Sequence, residues 1–347
     1  MPSSSVPTAS RAELDQPPKL KLSIALSTFN GAAYLPEQLA SITAQTRLPD
    51  EIVICDDCST DQTRAISEAF ALSTSIPVSL YVNEQNLGST KTFERAIRMC
   101  TGEIVALCDQ DDVWRQDKLQ LIETAFLKAP DAGLVFSDAQ LVDENLKSLG
   151  RNMWAERKFG RKQKEMVEHG RALDVLLPGW TVTGATIAFR SKFDHLCLPI
   201  PEDIPMIHDG WIALAISAVA EVILLDDQLI KYRQHSGQQI GAREYRAHEK
   251  HPVGLKRIED ALQRSNPFGD LRKILSALRA RLIEREQAFP CGNSMLFITH
   301  YLRHIDARAS LRPGKFSRVP TIFRELIRGR YHRFSKGLSS AAKDFVS

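Results

Sequence analysis

Glu103-Ile104-Val105-Ala106-Leu107-Cys108-Asp109-Gln110-Asp111-Asp112-Val113-Trp114 is the stretch from which the rest of the chain can be read. It begins as a short, uninterrupted apolar run, the mark of a strand covered on both faces. It then stops in three carboxylates within four residues. The same grammar recurs on either side. Residues 22–26, 51–55, 78–82, 103–107 and 133–136 read as buried strands. Residues 32–45, 61–73, 88–100 and 115–129, lying between them, carry apolar side chains at three- and four-residue spacing. Strand and helix in alternation predict the α/β class, with right-handed crossovers and a mostly parallel, Rossmann-like mixed sheet flanked by helices.

Ligands of such sheets bind beyond the carboxyl ends of the strands. Those ends carry Ser27-Thr28-Phe29-Asn30, Asp56-Asp57, the segment 83–88 and Asp109 to Asp112, so polar and acidic groups are expected on one rim. Residues 150–178, with a basic run from Arg157 to Lys164, read as a connecting loop or solvated surface helix. A strand at 183–189, a helix at about 209–219 and strands at 222–225 and 229–233 follow. From about residue 245 the text turns helical and basic.

In 347 residues, 43% apolar and 25% charged, a sizeable globular core is available. The net charge of +3 conceals an asymmetry: residues 243–347 hold 22 Lys and Arg against 10 acids, and residues 1–242 hold 23 against 32. The first half should attract cations and the second anions. Six cysteines without regular pairing suggest a reducing compartment. The lone Cys55/Cys58 pair lacks the further ligands a zinc site needs. Residues 1–20, rich in Ser and Pro, read as a flexible lead-in without a signal-peptide core. The longest nearly apolar stretch, 211–225, is too short to span a bilayer. A cytoplasmic protein is expected.

Carboxylates crowded as in Asp109, Asp111 and Asp112 raise one another's pKa unless a cation neutralises them. Hard oxygen ligands of this kind suit Mg2+ or Mn2+. An Asp-rich turn or helix cap is the alternative for this cluster alone, with Asp112 capping a helix near Arg115. In the second cluster, Asp56 to Asp61, Ser59 or Asp61 is expected to cap a helix. Asp56 and Asp57 are left free, and a carboxylate there can accept the ring N–H of a uracil or thymine.

Taken together and in this order, these motifs resemble the family-2 inverting glycosyltransferases of the GT-A fold, over about residues 21–240. The resemblance rests on Ser27-Thr28-Phe29-Asn30-Gly31, Asp56-Asp57-Cys58-Ser59-Thr60-Asp61, Asn86-Leu87-Gly88, Asp109-Gln110-Asp111-Asp112-Val113-Trp114 and His208-Asp209-Gly210-Trp211. It implies a catalytic domain at 21–242, followed by a basic helical region at 243–347. Donor-binding residues would be Ser27, Thr28, Asn30, Asp57, Asn86, Gly88, Asp109, Asp111 and Asp112. Ser27 and Asp57 would meet the base, Asp109 the ribose or the metal shell, and Asp111 the metal ion itself. Asp209 would be the base that deprotonates the acceptor in a single inverting displacement. The segment from Tyr232 to Gly241 looks like that of rhamnosyltransferase-like members. It makes His235 a further metal or diphosphate ligand and dTDP-L-rhamnose the expected donor among dTDP-, UDP- and GDP-sugars. The Gln-x-x-Arg-Trp segment of processive members is missing, so one sugar per encounter is expected.

Trp180, Thr183 and Gly184, between metal site and base, are candidates for the acceptor, a saccharide that is free or linked to polyprenyl diphosphate. The basic region suggests peripheral docking on an anionic membrane surface at the inner face of the cell membrane. A sugar nucleotidyltransferase would be expected to carry a Gly-rich phosphate loop after the first strand. A nucleotide- or nucleic-acid-binding module with a basic arm would leave the four aspartates 109, 111, 112 and 209 idle, so nucleic acid is not an expected partner.

Overall fold

The structure, a computed structural model, describes residues 19–177, 182–236, 238, 268–311 and 314–346. The lead-in at 1–18 and Trp180 lie outside the described residues.

Four parallel strands form the first half of the sheet: β1 (Leu22–Thr28), β2 (Glu51–Asp56), β3 (Val78–Val82) and β4 (Ile104–Cys108), in the order β3-β2-β1-β4. Alternate side chains feed two cores. Leu22, Ile24 and Leu26 pack with Leu35, Leu39 and Ile42 of α1 (Leu35–Thr43) and with Leu119, Ile122 and Phe126 of α4 (Lys118–Lys128). Ala25, Val53 and Val105 face Phe93, Ala96 and Ile97 of α3 (Ser89–Met99). The helix α2 (Thr63–Ser73) lies beside β3. In register, Thr28 pairs Asp56, Asp56 pairs Val82 and Leu26 pairs Cys108, so the carboxyl ends of all four strands finish on one rim.

The second half is mixed. The sheet continues through β8 (Ile187–Arg190), β6 (Ala132–Val142), β9 (Glu221–Arg233) and β5 (Val113–Trp114), with β7 (Ser148–Asn152) attached to β6. Val113 of β5 pairs Lys231, which brings the Asp111-Asp112 turn to the end of β9.

Several sequence expectations change here. The two strands read at 222–225 and 229–233 are one, because Asp226, Asp227 and Gln228 only bulge at its exposed middle. The strand expected from residue 183 starts at Ile187, after a 3-10 turn at Gly184–Thr186. Residues 150–177 do hold a largely exposed helix, one of the two readings, but are not a wholly solvated stretch. They form α5 (Met153–Glu156), α6 (Arg161–Glu168) and α7 (Ala172–Leu176), and Trp154, Phe159 and Val167 are core residues. Burial of two aromatic rings decides this against the polarity of their neighbours.

The short α8 (Asp194–Cys197) and the buried α9 (His208–Ser217) complete this half. The C-terminal helices are α10 (Gly269–Glu284), α11 (Gly292–Ala309), α12 (Lys315–Ile327), α13 (Arg330–Phe334) and α14 (Leu338–Val346). Leu275, Leu278, Leu282 and Ile298 join the same core as Phe189 and Phe193. Arg281 donates to the carbonyls of Leu196 and Pro199 at 2.7 and 2.6 Å. Among the described residues no helix is long and apolar enough to cross a membrane.

Candidate active site

A cleft of about 1020 Å3, counting the part open to solvent, lies on the rim. Ser27, Asp57, Asp109, Asp111, Thr183, Gly184 and Asp209 line it, joined by Phe29, Arg157, His208 and Tyr232.

One wall is a braced pair of loops. Asp57, 2% exposed, accepts hydrogen bonds from Asn83 Nδ2, the Leu87 N–H and the Gly88 N–H, each at 2.8 Å. It therefore holds the Asn86-Leu87-Gly88 turn in place, and the φ of 82° at Gly88 suits glycine there. Asp56 does the same for its own loop, accepting from Ser59 N and Thr28 Oγ1 at 2.8 Å and from Ser59 Oγ at 2.6 Å. Ser59 is thus not a helix cap. The helix starts at Thr63, whose N–H reaches Asp61 Oδ1 at 2.9 Å. Asn30, with φ 47°, is held by its Oδ1 accepting the Thr60 N–H at 2.8 Å. Gln110 bridges the Phe29 peptide, accepting from its N–H at 2.8 Å and donating to its carbonyl at 2.9 Å. A Cβ on Gly31 would sit 2.1 Å from Gln110 Oε1, so glycine makes room for that bridge.

The floor is the acidic turn. Burial, then the charges of Asp111 and Asp209, push Asp109 up to about 7. Asp111 Oδ2 lies 2.8 Å from His235 Nε2, and the His235 ring rests against Tyr34 at 4.4 Å between centroids. Arg233, 1% exposed, donates from Nε to the Asp111 carbonyl at 2.8 Å and also reaches Glu37 and the Glu144 carbonyl. Asp112 is fully buried. Its Oδ1 accepts the Arg233 N–H at 3.1 Å, Oδ2 has no partner among the described residues, and burial holds its carboxyl well above the usual range. Burial likewise pushes Lys118 down to about 7, with Nζ on the Ala185 carbonyl at 2.7 Å and 3.6 Å from the Trp114 ring centre.

The opposite wall belongs to α9 and the 3-10 turn. Asp209 Oδ2 accepts the Gly184 N–H at 3.1 Å and Oδ1 the Gly210 N–H at 2.6 Å. Burial raises its pKa to about 6, with those N–H groups and the charge of Arg157 working the other way. It sits within the first turn of α9 and does not cap it. His208 stacks on Phe93 at 4.1 Å, its Nδ1 unpartnered among the described residues, and burial pushes its pKa down to about 3, leaving a neutral ring. Thr183 Oγ1 is also buried without a partner there.

Among the predicted site residues, two are corrected outright. Thr28 is buried with its hydroxyl on Asp56, and Asp112 anchors the end of β9 without capping a helix; neither lines the cleft. Asn30, Asn86 and Gly88 shape the loops beside it. Arg157, Gln110 and Arg233 were missed. Arg157 faces the cleft, and its side chain has no hydrogen bond or ion pair among the described residues. Its only trace in the sequence was the basic run read as surface.

The donor set also bears on a metal. Among the described residues no three His, Cys, Asp or Glu side chains gather into a cage, so Asp109, Asp111 and His235 do not form a closed ligand set. Asp111, which lines the cleft beside Asp109, with the His235 imidazole 2.8 Å behind it, does fit an ion that takes its remaining ligands from phosphate and water.

The sheet order and the acidic rim define an α/β scaffold with a cleft at its strand ends, and comparison with known proteins places it more narrowly. Residues 23–190 match the family model described as Glycosyl transferase family 2, and the chain carries a family-2 glycosyltransferase domain of the GT-A fold. It is 29% identical over 220 residues to the uncharacterized glycosyltransferase alr2836 of Nostoc sp., covering 62% of this chain and 65% of that protein, just under two thirds of its length. It is 27% identical over 225 residues to the dTDP-rhamnosyl transferase RfbG of Shigella flexneri, covering 62% and 74%. The crystal structure of S. aureus TarS 1-349 in complex with UDP-GlcNAc superimposes with a TM-score of 0.56 at 16% identity, covering 94% and 91% of the two chains.

Proposed function

We propose that this protein transfers one sugar from a nucleoside diphosphate sugar to a hydroxyl of a saccharide acceptor, free or carried on a polyprenyl diphosphate, with inversion. The observation that carries the reading is Asp209, a buried carboxylate held near pKa 6 in the same cleft as Asp109 and Asp111. A group so poised is ionised near neutral pH and basic enough to take the acceptor proton. Ser27 and Asp57 are assigned to the base, and Arg157 to the diphosphate, whose charge it can meet without first breaking an ion pair. Thr183 and Gly184 are assigned to the acceptor. A divalent ion, Mg2+ or Mn2+, on Asp111 and His235 with Asp109 beside them would supply positive charge for the departing diphosphate. Similarity to RfbG, together with the segment beginning at Tyr232, supports dTDP-L-rhamnose as the donor.

The test is nucleoside diphosphate release from dTDP-, UDP- and GDP-sugars with Mn2+ or Mg2+ present. Turnover is expected with dTDP-rhamnose, lost in Asp111→Asn with the fold retained. Binding of nucleotide without any release would refute an enzyme.

A further inference from the structure

Helix α12 has two apolar faces. Ile322 turns inward against Tyr331 and Ala341. On the other side Phe316, Val319, Phe323 and Ile327 are 89%, 42%, 62% and 71% exposed, and their spacing of three and four residues lines them into one ridge. Large apolar side chains grouped in this way on a surface mark a contact with something else.

The surrounding charge says what. Residues 314–346 contain eight Lys and Arg and only two acids, Glu325 and Asp344. Both acids are consumed inside the fold. Glu325, 1% exposed, pairs with His304 Nδ1 and Arg330 at 2.9 Å each. Asp344 takes both nitrogens offered by Arg308, at 2.6 and 2.9 Å, and the Tyr331 hydroxyl at 2.7 Å. On α12 and its end, Lys315, Arg324 and Arg328 are exposed beside the ridge and carry no ion pair among the described residues. Within residues 314–346 the outward chemistry is therefore aromatic and aliphatic with a cationic rim. A second copy laid ridge to ridge would oppose these cations to themselves, which disfavours self-association. An anionic lipid surface satisfies both halves at once: apolar side chains enter the headgroup boundary and Lys and Arg meet the phosphates.

We propose that α12 docks the protein on an anionic membrane surface, with Phe316, Val319, Phe323 and Ile327 inserted and Lys315, Arg324 and Arg328 at the headgroups. The attachment is peripheral and independent of the transfer activity, so its test reads partition and not turnover. The full chain is floated with phosphatidylcholine vesicles, with and without phosphatidylglycerol. Flotation is expected only with the anionic lipid and weakens with salt. The double variant Phe316→Ser, Phe323→Ser should lower partition at least about tenfold. Its melting curve should not change, because both rings are exposed. Arg324→Glu with Arg328→Glu should have a similar effect. Equal flotation on neutral vesicles, or ridge variants that float like the parent, would overturn the proposal. So would light scattering that shows a dimer dissolved by the ridge variant with no vesicle binding by either protein.

Discussion

Replacing Asp57 by asparagine separates two roles that the residue has been given. Its two oxygens accept three hydrogen bonds at 2.8 Å, two of them from backbone N–H groups of the 83–88 loop. Asparagine has one acceptor oxygen, so whichever way its amide is turned, its NH2 meets an N–H. The less damaging orientation keeps Asn83 and Leu87 and strands the Gly88 N–H. An orphaned donor costs about 1–3 kcal/mol, and the retained bonds lose their charge assistance. With Asp57 itself 2% exposed but Gly88 half-buried, the loss should be about 2 kcal/mol. For a chain of this size that lowers the melting temperature by roughly 3 °C. The assay is thermal melting of the ligand-free protein, with nucleotide binding followed by calorimetry. Both should suffer, since a loosened loop cannot present the carboxylate. A variant that melts within about 1 °C of the parent but no longer binds nucleotide would refute the loop-bracing argument and leave base contact alone.

Asp209→Asn should cut turnover at least about 100-fold while nucleotide still binds. In the parent, activity should fall as pH drops through about 6, because the protonated acid cannot accept the acceptor's proton; a flat profile from pH 7 to pH 5 would remove it as the base. The same raised pKa means that the folded state holds the proton more tightly than the unfolded one. Stability is therefore lost as pH rises through about 6, and Asp209→Asn should remove that part of the pH dependence of melting, while its single acceptor oxygen leaves either the Gly184 or the Gly210 N–H unpaired. Arg157→Ala should raise the donor KM about tenfold, the loss of one charge-assisted contact, with unchanged melting because the side chain has no partner within the described chain. An unchanged KM would remove Arg157 from the donor site.

Much of the first half of the molecule was legible because β1, β2 and β4 are buried on both faces, whereas β3, read as buried, is a half-exposed edge strand. A run such as Ile104 to Leu107 has few alternatives, and the polar residues that end it must fall on the rim. The second half was harder. Asp226, Asp227 and Gln228 disguise one long strand as two, and Trp154 and Phe159 stand too far apart and among too many charges to show a period. Arg157 could not be told from its solvated neighbours, since no spacing rule says which residue of a basic run faces a cleft.

The chain by itself determined the parallel half-sheet, the acidic rim and the residue types available for chemistry, because apolar periodicity and strand-end polarity are local properties. Tertiary structure decided which carboxylates face the cleft and which are struts. Asp112 and Asp56 are spent on the scaffold, whereas Asp109, Asp111 and Asp209 face the cleft. That division rests on the partners that strands and loops distant in sequence bring to each oxygen, from the Arg233 N–H to that of Gly184.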